Sequence, residues 1–127
     1  QGSALLTGDV EAISEMRLVN RDVEVLRADV LLVPHHGSRT SSIPAFVRAV
    51  APAYAIVTNG YRNRFGHPRA EIVARYRAVG AQVLRTDLDG AITFSFAPGA
   101  PVVPRMARRE ALRYWHDRPD ARAAPLD

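Results

Sequence analysis

Three short segments hold side chains able to bind a metal or move a proton: Asp9 in Thr7-Gly8-Asp9, the adjacent pair His35-His36 ahead of Gly37-Ser38, and His67 in Gly66-His67-Pro68. Each lies just beyond an apolar run that reads as a buried strand. In open α/β sheets, the crevice outside the C-terminal strand ends is where ligands bind. Carboxylate and imidazole donors suit Zn, Mn or Fe. Asp9 has two readings, a helix N-cap after a tight turn or a carboxylate bridging two divalent ions. For the histidine pair, an extended chain turns neighbouring side chains to opposite sides. One ring then faces a metal and the other faces substrate or an orienting partner; the alternative is two solvated loop histidines. The loop Arg62-Asn63-Arg64-Phe65-Gly66-His67 gathers the groups that hold a phosphodiester: two guanidiniums, an amide, an aromatic and an imidazole. Ser38, Thr40, Ser41 and Ser42 offer hydroxyls and amides to a phosphate, although capping and turn duties account for most of them. His116, in Tyr114-Trp115-His116, has no partner in the pattern and reads as structural.

The elements that must position these groups follow from the apolar periodicity. Residues 4–6 form a short buried strand, and residues 10–20 a helix with Val10, Ile13 and Leu18 inward and Glu11 and Glu15 outward. Residues 23–26 read as extended. Residues 28–33 form a continuous apolar strand of the kind covered on both faces. Ser42 is placed to cap a helix over 43–50, with Pro44 in its first turn and Pro52 beyond its end. Residues 54–57 give a third strand and 70–79 a helix stopped by Gly80. Residues 82–85 and 91–96 read as a hairpin around the turn 87–90. This alternation predicts an α/β fold with a largely parallel sheet and flanking helices. Residues 1–97 form the domain; residues 98–127 comprise a Pro-rich linker and a basic helix over 105–117.

Composition sets the outer bounds. The 127 residues suit one domain, and an apolar share of 47% supports a core. There is no cysteine, so disulfides and thiolate metal sites are excluded. No apolar run approaches the roughly 20 residues of a membrane span. All 17 basic residues are arginine and the net charge is +4, which favours a polyanionic partner; an Arg- and Ala-rich, lysine-free composition is also what a GC-rich genome produces. Gln1-Gly2-Ser3, without a starting Met and running straight into an apolar strand, reads as the opening of a piece of a longer chain.

Taken in order, Leu6-Thr7-Gly8-Asp9, the run from Ala28 through Pro34-His35-His36-Gly37-Ser38, Asn63 with Gly66-His67-Pro68, Arg85-Thr86-Asp87 and Asp89-Gly90-Ala91 resemble the ComEC competence proteins, over residues 4–93. The resemblance implies the C-terminal half of a metallo-β-lactamase-like αββα sandwich with a mixed sheet, attached to a polytopic membrane channel that imports single-stranded DNA. The domain then acts as a metal-dependent nuclease degrading the strand that is not imported, a soluble domain of a bacterial inner-membrane protein on its extracytoplasmic face. Asp9 is implied as the bridging ligand and His36 as a second metal ligand. His35 stands near the scissile phosphate and His67 nearby as a phosphate-binding or acid group. Ser38, Arg62, Asn63 and Arg64 are the implied DNA contacts. The family's first metal motif, a His-x-Asp-x-Asp-His cluster, has no counterpart in these residues. Zn or Mn is therefore expected in the complete domain, and this piece is expected to hold no metal tightly and to be inactive alone. Expected partners are DNA, the rest of its own membrane protein, and a second copy of the piece. His-His-Gly-Ser also occurs in other phosphodiesterases and esterases of this fold, which is one alternative. A metal-free nucleic-acid-binding module carried by Arg62, Arg64 and residues 105–113 is another.

Overall fold

The structure is a computed structural model and describes residues 2–111. Strands β1 (Ala4–Leu6), β2 (Val30–Leu32), β3 (Tyr54–Val57) and β4 (Gln82–Arg85) form one parallel sheet in the order of the sequence. Helices α1 (Ala12–Asp22), α2 (Pro44–Val50) and α3 (Ala70–Ala78) make the three crossovers. Leu5, Leu31, Ala55 and Val83 are paired in register and so share one face of the sheet. On that face Leu31, Val33, Ala55 and Val57 meet Phe46, Val47 and Val50 of α2 and Ile72 and Tyr76 of α3 in the main core. Crossovers of one hand, repeated without a reversal of strand order, lay all their helices on one side.

The second face is covered by a ribbon. After β4 the chain makes one helical turn, α4 (Thr86–Asp89), and then β5 (Ile92–Phe94) pairs antiparallel with β6 (Pro104–Met106). Ile92, Phe94, Val102 and Met106 pack there against Val30, Ile56 and Leu84, with the Tyr54 and Phe94 rings 5.3 Å apart. A last turn, α5 (Ala107–Glu110), follows. The cover does not reach β1, where Leu6 remains 76% exposed. An α/β fold with flanking helices is thus established, and its parallel and antiparallel strands lie in two separate sheets.

Several local expectations are corrected. Residues 82–85 and 91–96 do not form a hairpin: β4 pairs with β3, and β5 pairs with β6. The turn between them is fixed by Asp87 and Asp89, whose carboxylates bind Arg85 and Arg109, and it sends the chain out of the sheet plane. The helix expected from residue 105 is extended at its start, because Pro104 and Met106 pair with Phe94 and Ile92 over the second face. The remainder of that expected helix, with Trp115 and His116, lies outside the described residues. Residues 23–25 form a tight helical turn, not an extended piece, and bury Leu26 behind them. Ile13, expected inward, is exposed, whereas Glu15, expected outward, is fully buried. The reason is the start of α2, whose first backbone N–H groups have no partner within their own helix. Ser42 does not cap them. The Ser42 and Ile43 N–H groups donate to the two Glu15 carboxylate oxygens at 2.6 and 2.8 Å.

Candidate functional site

Three loops converge at the C-terminal ends of β1, β2 and β3. The first, after β1, carries Asp9. It does not cap α1, since Glu11 occupies the position before Ala12 and no side chain caps that end. The Asp9 carboxylate is exposed and has His36 Nε2 3.7 Å from its Oδ1.

The second loop is Pro34–Gly37, a tight turn in which His35 and His36 both adopt left-handed backbone conformations, with φ of 47° and 54°. Left-handed conformations cost non-glycine residues on the order of 1–2 kcal/mol each. Two in succession are held here by the surroundings. His35 N–H donates to the Gly8 carbonyl at 3.1 Å, binding the second loop to the first. The two rings bond different partners, and the backbone between them is left-handed, not the extended chain expected. His36 Nδ1 lies 2.7 Å from the Thr58 carbonyl, which can only accept, so Nδ1 donates there and Nε2 is the nitrogen turned toward Asp9. His35 Nδ1 lies 3.1 Å from Glu11 Oε1 and 3.2 Å from Thr40 Oγ1, while Thr40 itself donates to Glu11. Its proton therefore also sits on Nδ1.

The third loop, after β3, carries His67. Asn63 Nδ2 donates to the His67 carbonyl at 2.7 Å and Asn63 Oδ1 accepts the His67 N–H at 3.1 Å, so this amide shapes the loop around the histidine. Desolvation, then the charges of Arg69, His35 and His36, lowers the His67 pKa from its ordinary 6.5. Its Nδ1 is buried without a partner among the described residues. The second and third loops dock closely. Arg69 N–H donates to the Gly37 carbonyl, and a Cβ on Gly37 would stand 2.7 Å from Pro68 Cβ, so only glycine fits there.

The structure brings Asp9, His36, His35 and His67 to one edge of the sheet. Ser38 directly follows the second loop, its Oγ 3.2 Å from Thr40 Oγ1. Arg62 and Arg64 lean on the rings of Tyr61 and Phe65, at 5.1 and 5.2 Å from the ring centres. Glu11, Thr40 and Thr58 orient the two histidines; sequence reasoning had Glu11 only as an outward acid and Thr40 only as a phosphate or turn hydroxyl, and passed over Thr58. It also passed over Asn59, whose side-chain Nδ2 is buried without a partner among the described residues while Thr86 holds its backbone. Thr58 and Asn59 directly follow the apolar run of β3, which was the available signal.

The donor set fits part of a metal site. Two ligands with bonds of about 2.0–2.2 Å to a common ion stand roughly 3–4 Å apart, and Asp9 Oδ1 and His36 Nε2 meet that condition. Their chemistry is also right, a carboxylate and an imidazole whose other nitrogen is fixed by a carbonyl. Among the described residues no group of three or more acidic or histidine side chains gathers as a metal cluster. Asp87 and Asp89 do not add to the pair, being held by arginines.

Fold and site together define an α/β domain that collects histidines and a carboxylate at the ends of its parallel strands. Comparison with known proteins takes this further. The chain is 41% identical over 119 residues to the competence protein ComA of Neisseria gonorrhoeae, covering 93% of this chain and 17% of that protein. It is 36% identical over 94 residues to ComE operon protein 3 of Bacillus subtilis, covering 74% of this chain and 12% of that one. Recombination protein 2 of Haemophilus influenzae is 32% identical over 96 residues, 76% of this chain and 12% of its own length. The chain has a family link to these bacterial competence proteins and spans less than a fifth of their length. No protein-family model matches it, and no solved structure matches it significantly.

Proposed function

We propose that this chain is part of a metal-dependent nuclease domain, of the metallo-β-lactamase type, within a DNA-uptake protein of the inner membrane. The supporting observation is the His36 ring, which donates from Nδ1 to the Thr58 carbonyl and turns Nε2 toward Asp9, 3.7 Å from its Oδ1. Asp9 and His36 would hold Zn or Mn together with donors outside these residues. Such a metal, when bound, supplies an activated water and a clamp on the phosphate oxygens. The chain's own groups do the rest. His35, its Nδ1 proton directed at Glu11, offers Nε2 to accept a proton or a hydrogen bond near the scissile phosphate. His67 is a neutral imidazole suited to bonding a phosphate oxygen, and Arg62 and Arg64 balance the strand's charge. Among the described residues no helix is long and apolar enough to cross a membrane, and the attachment to a membrane channel on its outer side rests on the resemblance to the ComEC proteins. The exposed Leu6 row of β1 supports contact with the rest of the same protein. The test is cleavage of labelled DNA by the full-length protein with Mn or Zn. His36→Ala and Asp9→Ala are expected to abolish cleavage and lower metal content, and unaltered cleavage in both variants would overturn the reading.

A further inference from the structure

The His36 side chain is 49% exposed, and its ring is anchored by Thr58, whose carbonyl accepts the Nδ1 proton at 2.7 Å and whose hydroxyl lies 3.2 Å from the same nitrogen. Where that ring points therefore depends on where the Thr58 carbonyl is held. Thr58 stands one residue past the end of β3, and the pairing of β3 with β4 stops at Val57 and Arg85. Beyond it, one side-chain atom takes over. Thr86 Oγ1 accepts the Asn59 N–H and donates to the Asn59 carbonyl, both at 2.8 Å. A hydroxyl is the side-chain group that donates and accepts through a single oxygen. The Asn59 N–H and the Thr58 carbonyl belong to the same planar peptide and point away from each other. Thr86 thus grips one end of that peptide while His36 is bonded to the other. Thr86 itself sits on a braced turn: Asp89 accepts the Arg85 N–H at 3.0 Å, and the Asp87 carboxylate holds the Arg85 guanidinium.

We infer that Thr86, at the end of the fourth strand, is a positioning residue for His36 and acts through the peptide between Thr58 and Asn59. An N–H that donates polarises its peptide, so the carbonyl opposite becomes the better acceptor for the His36 proton. A neutral ring that donates from Nδ1 keeps its lone pair on Nε2, the form that binds a metal. Without the anchor the ring is free to carry its proton on Nε2 and give it to Asp9, 3.7 Å away. The two proposed ligands would then be bonded to each other. The inference rests on the reading of His36 as a ligand and adds the residue that sets its tautomer.

The experiment is nitrogen NMR of the histidine rings in the 127-residue chain, in chelator and in buffer alkaline enough to keep the rings neutral. Thr86→Val matches threonine in shape and lacks the hydroxyl. It is expected to lower the ratio of Nδ1-protonated to Nε2-protonated His36 roughly threefold to tenfold, the worth of one hydrogen bond. The His35 ratio should stay constant, because Glu11 and Thr40 hold that ring. Thr86→Ser keeps the hydroxyl and should restore the His36 ratio. Should Thr86→Val fail to fold, Thr86→Ala, which lets water reach the Asn59 backbone, carries the same test. An unchanged His36 ratio in the variant without the hydroxyl overturns the inference. So does an equal change in His35 and His67, which would mean a general loosening, or a serine variant that restores nothing. The readout requires neither metal nor DNA, so its failure is distinct from a failure of the nuclease reading.

Discussion

The carboxylate of Glu15 on α1 accepts the backbone N–H of Ser42, 27 residues later, at 2.6 Å, and thereby ties the helix that follows Asp9 to the end of the loop that carries His35 and His36. The same carboxylate accepts the Ile43 N–H, so the unpaired donors at the start of α2 are satisfied from another helix. Ser42 is itself in a left-handed conformation and bonds the buried Tyr76 hydroxyl at 2.9 Å, while Arg75 donates to its carbonyl. Glu15→Ala is expected to destabilise the chain by about 2–4 kcal/mol, since two buried donors lose their acceptor and a cavity opens. Urea unfolding measures this; a loss below about 0.5 kcal/mol, the usual range of a surface substitution, would show that the clamp is not structural.

The same residue sets a pH dependence. Burial raises the Glu15 pKa above its ordinary 4.5, against the opposing pull of the Ile43 and Ser42 N–H groups and Arg75. The folded state therefore binds its proton more tightly than the unfolded chain does. This contribution is full below the unfolded value and is lost as pH rises through the folded one. Glu15→Gln is expected to remove that decline, visible as a flatter stability–pH curve above 4.5 than the unaltered chain gives. Identical slopes for the two proteins would contradict the assignment.

His67 has the opposite sign. Its folded pKa is depressed below 6.5 by desolvation first and by the neighbouring cations second, so the fold favours the neutral ring. Its contribution is present above 6.5 and is lost as pH falls through the depressed folded value. Proton NMR of the ring should give a midpoint below 6.5, and Arg69→Gln should move it upward. A midpoint at or above 6.5 would mean that the ring is solvated and free of these influences.

Much of the architecture was legible in the residues. The runs ending at Leu6, Leu32 and Val57 are apolar throughout because their parallel strands are covered on at least one face and paired on their edges, and the loops after them hold Asp9, His35, His36 and His67. What was hidden depended on partners distant in sequence. Glu15 looks like a solvent-facing acid on α1 until the start of α2 is placed against it. Residues 104–106 look like a helix start until Ile92 and Phe94 require a second strand above Val30, Ile56 and Leu84. The left-handed His35-His36 turn has no local signature apart from Gly37, since its conformation is held by Gly8, Thr58 and Glu11.

Gly37 offers the sharpest test of how the loops fit together. Its φ is +80°, and an added Cβ would meet Pro68 Cβ at 2.7 Å and Pro68 Cα at 3.1 Å. One contact is with backbone, so a side-chain rotation cannot relieve it. Gly37→Ala is expected to cost about 2–4 kcal/mol from backbone strain and overpacking together. The displaced element is the His67-Pro68 segment, which is bonded to Gly37 through Arg69 N–H. If the proposed function holds, the variant of the full-length protein should keep metal binding by Asp9 and His36 more nearly intact than DNA cleavage, because the clash lies between the second loop and the third. The ring resonances of His67 should shift while the Asp9 side of the site is conserved. If Gly37→Ala left stability and the His67 resonances unchanged, the close docking of these two loops would be wrong, and with it the placement of His67 beside His35 and His36.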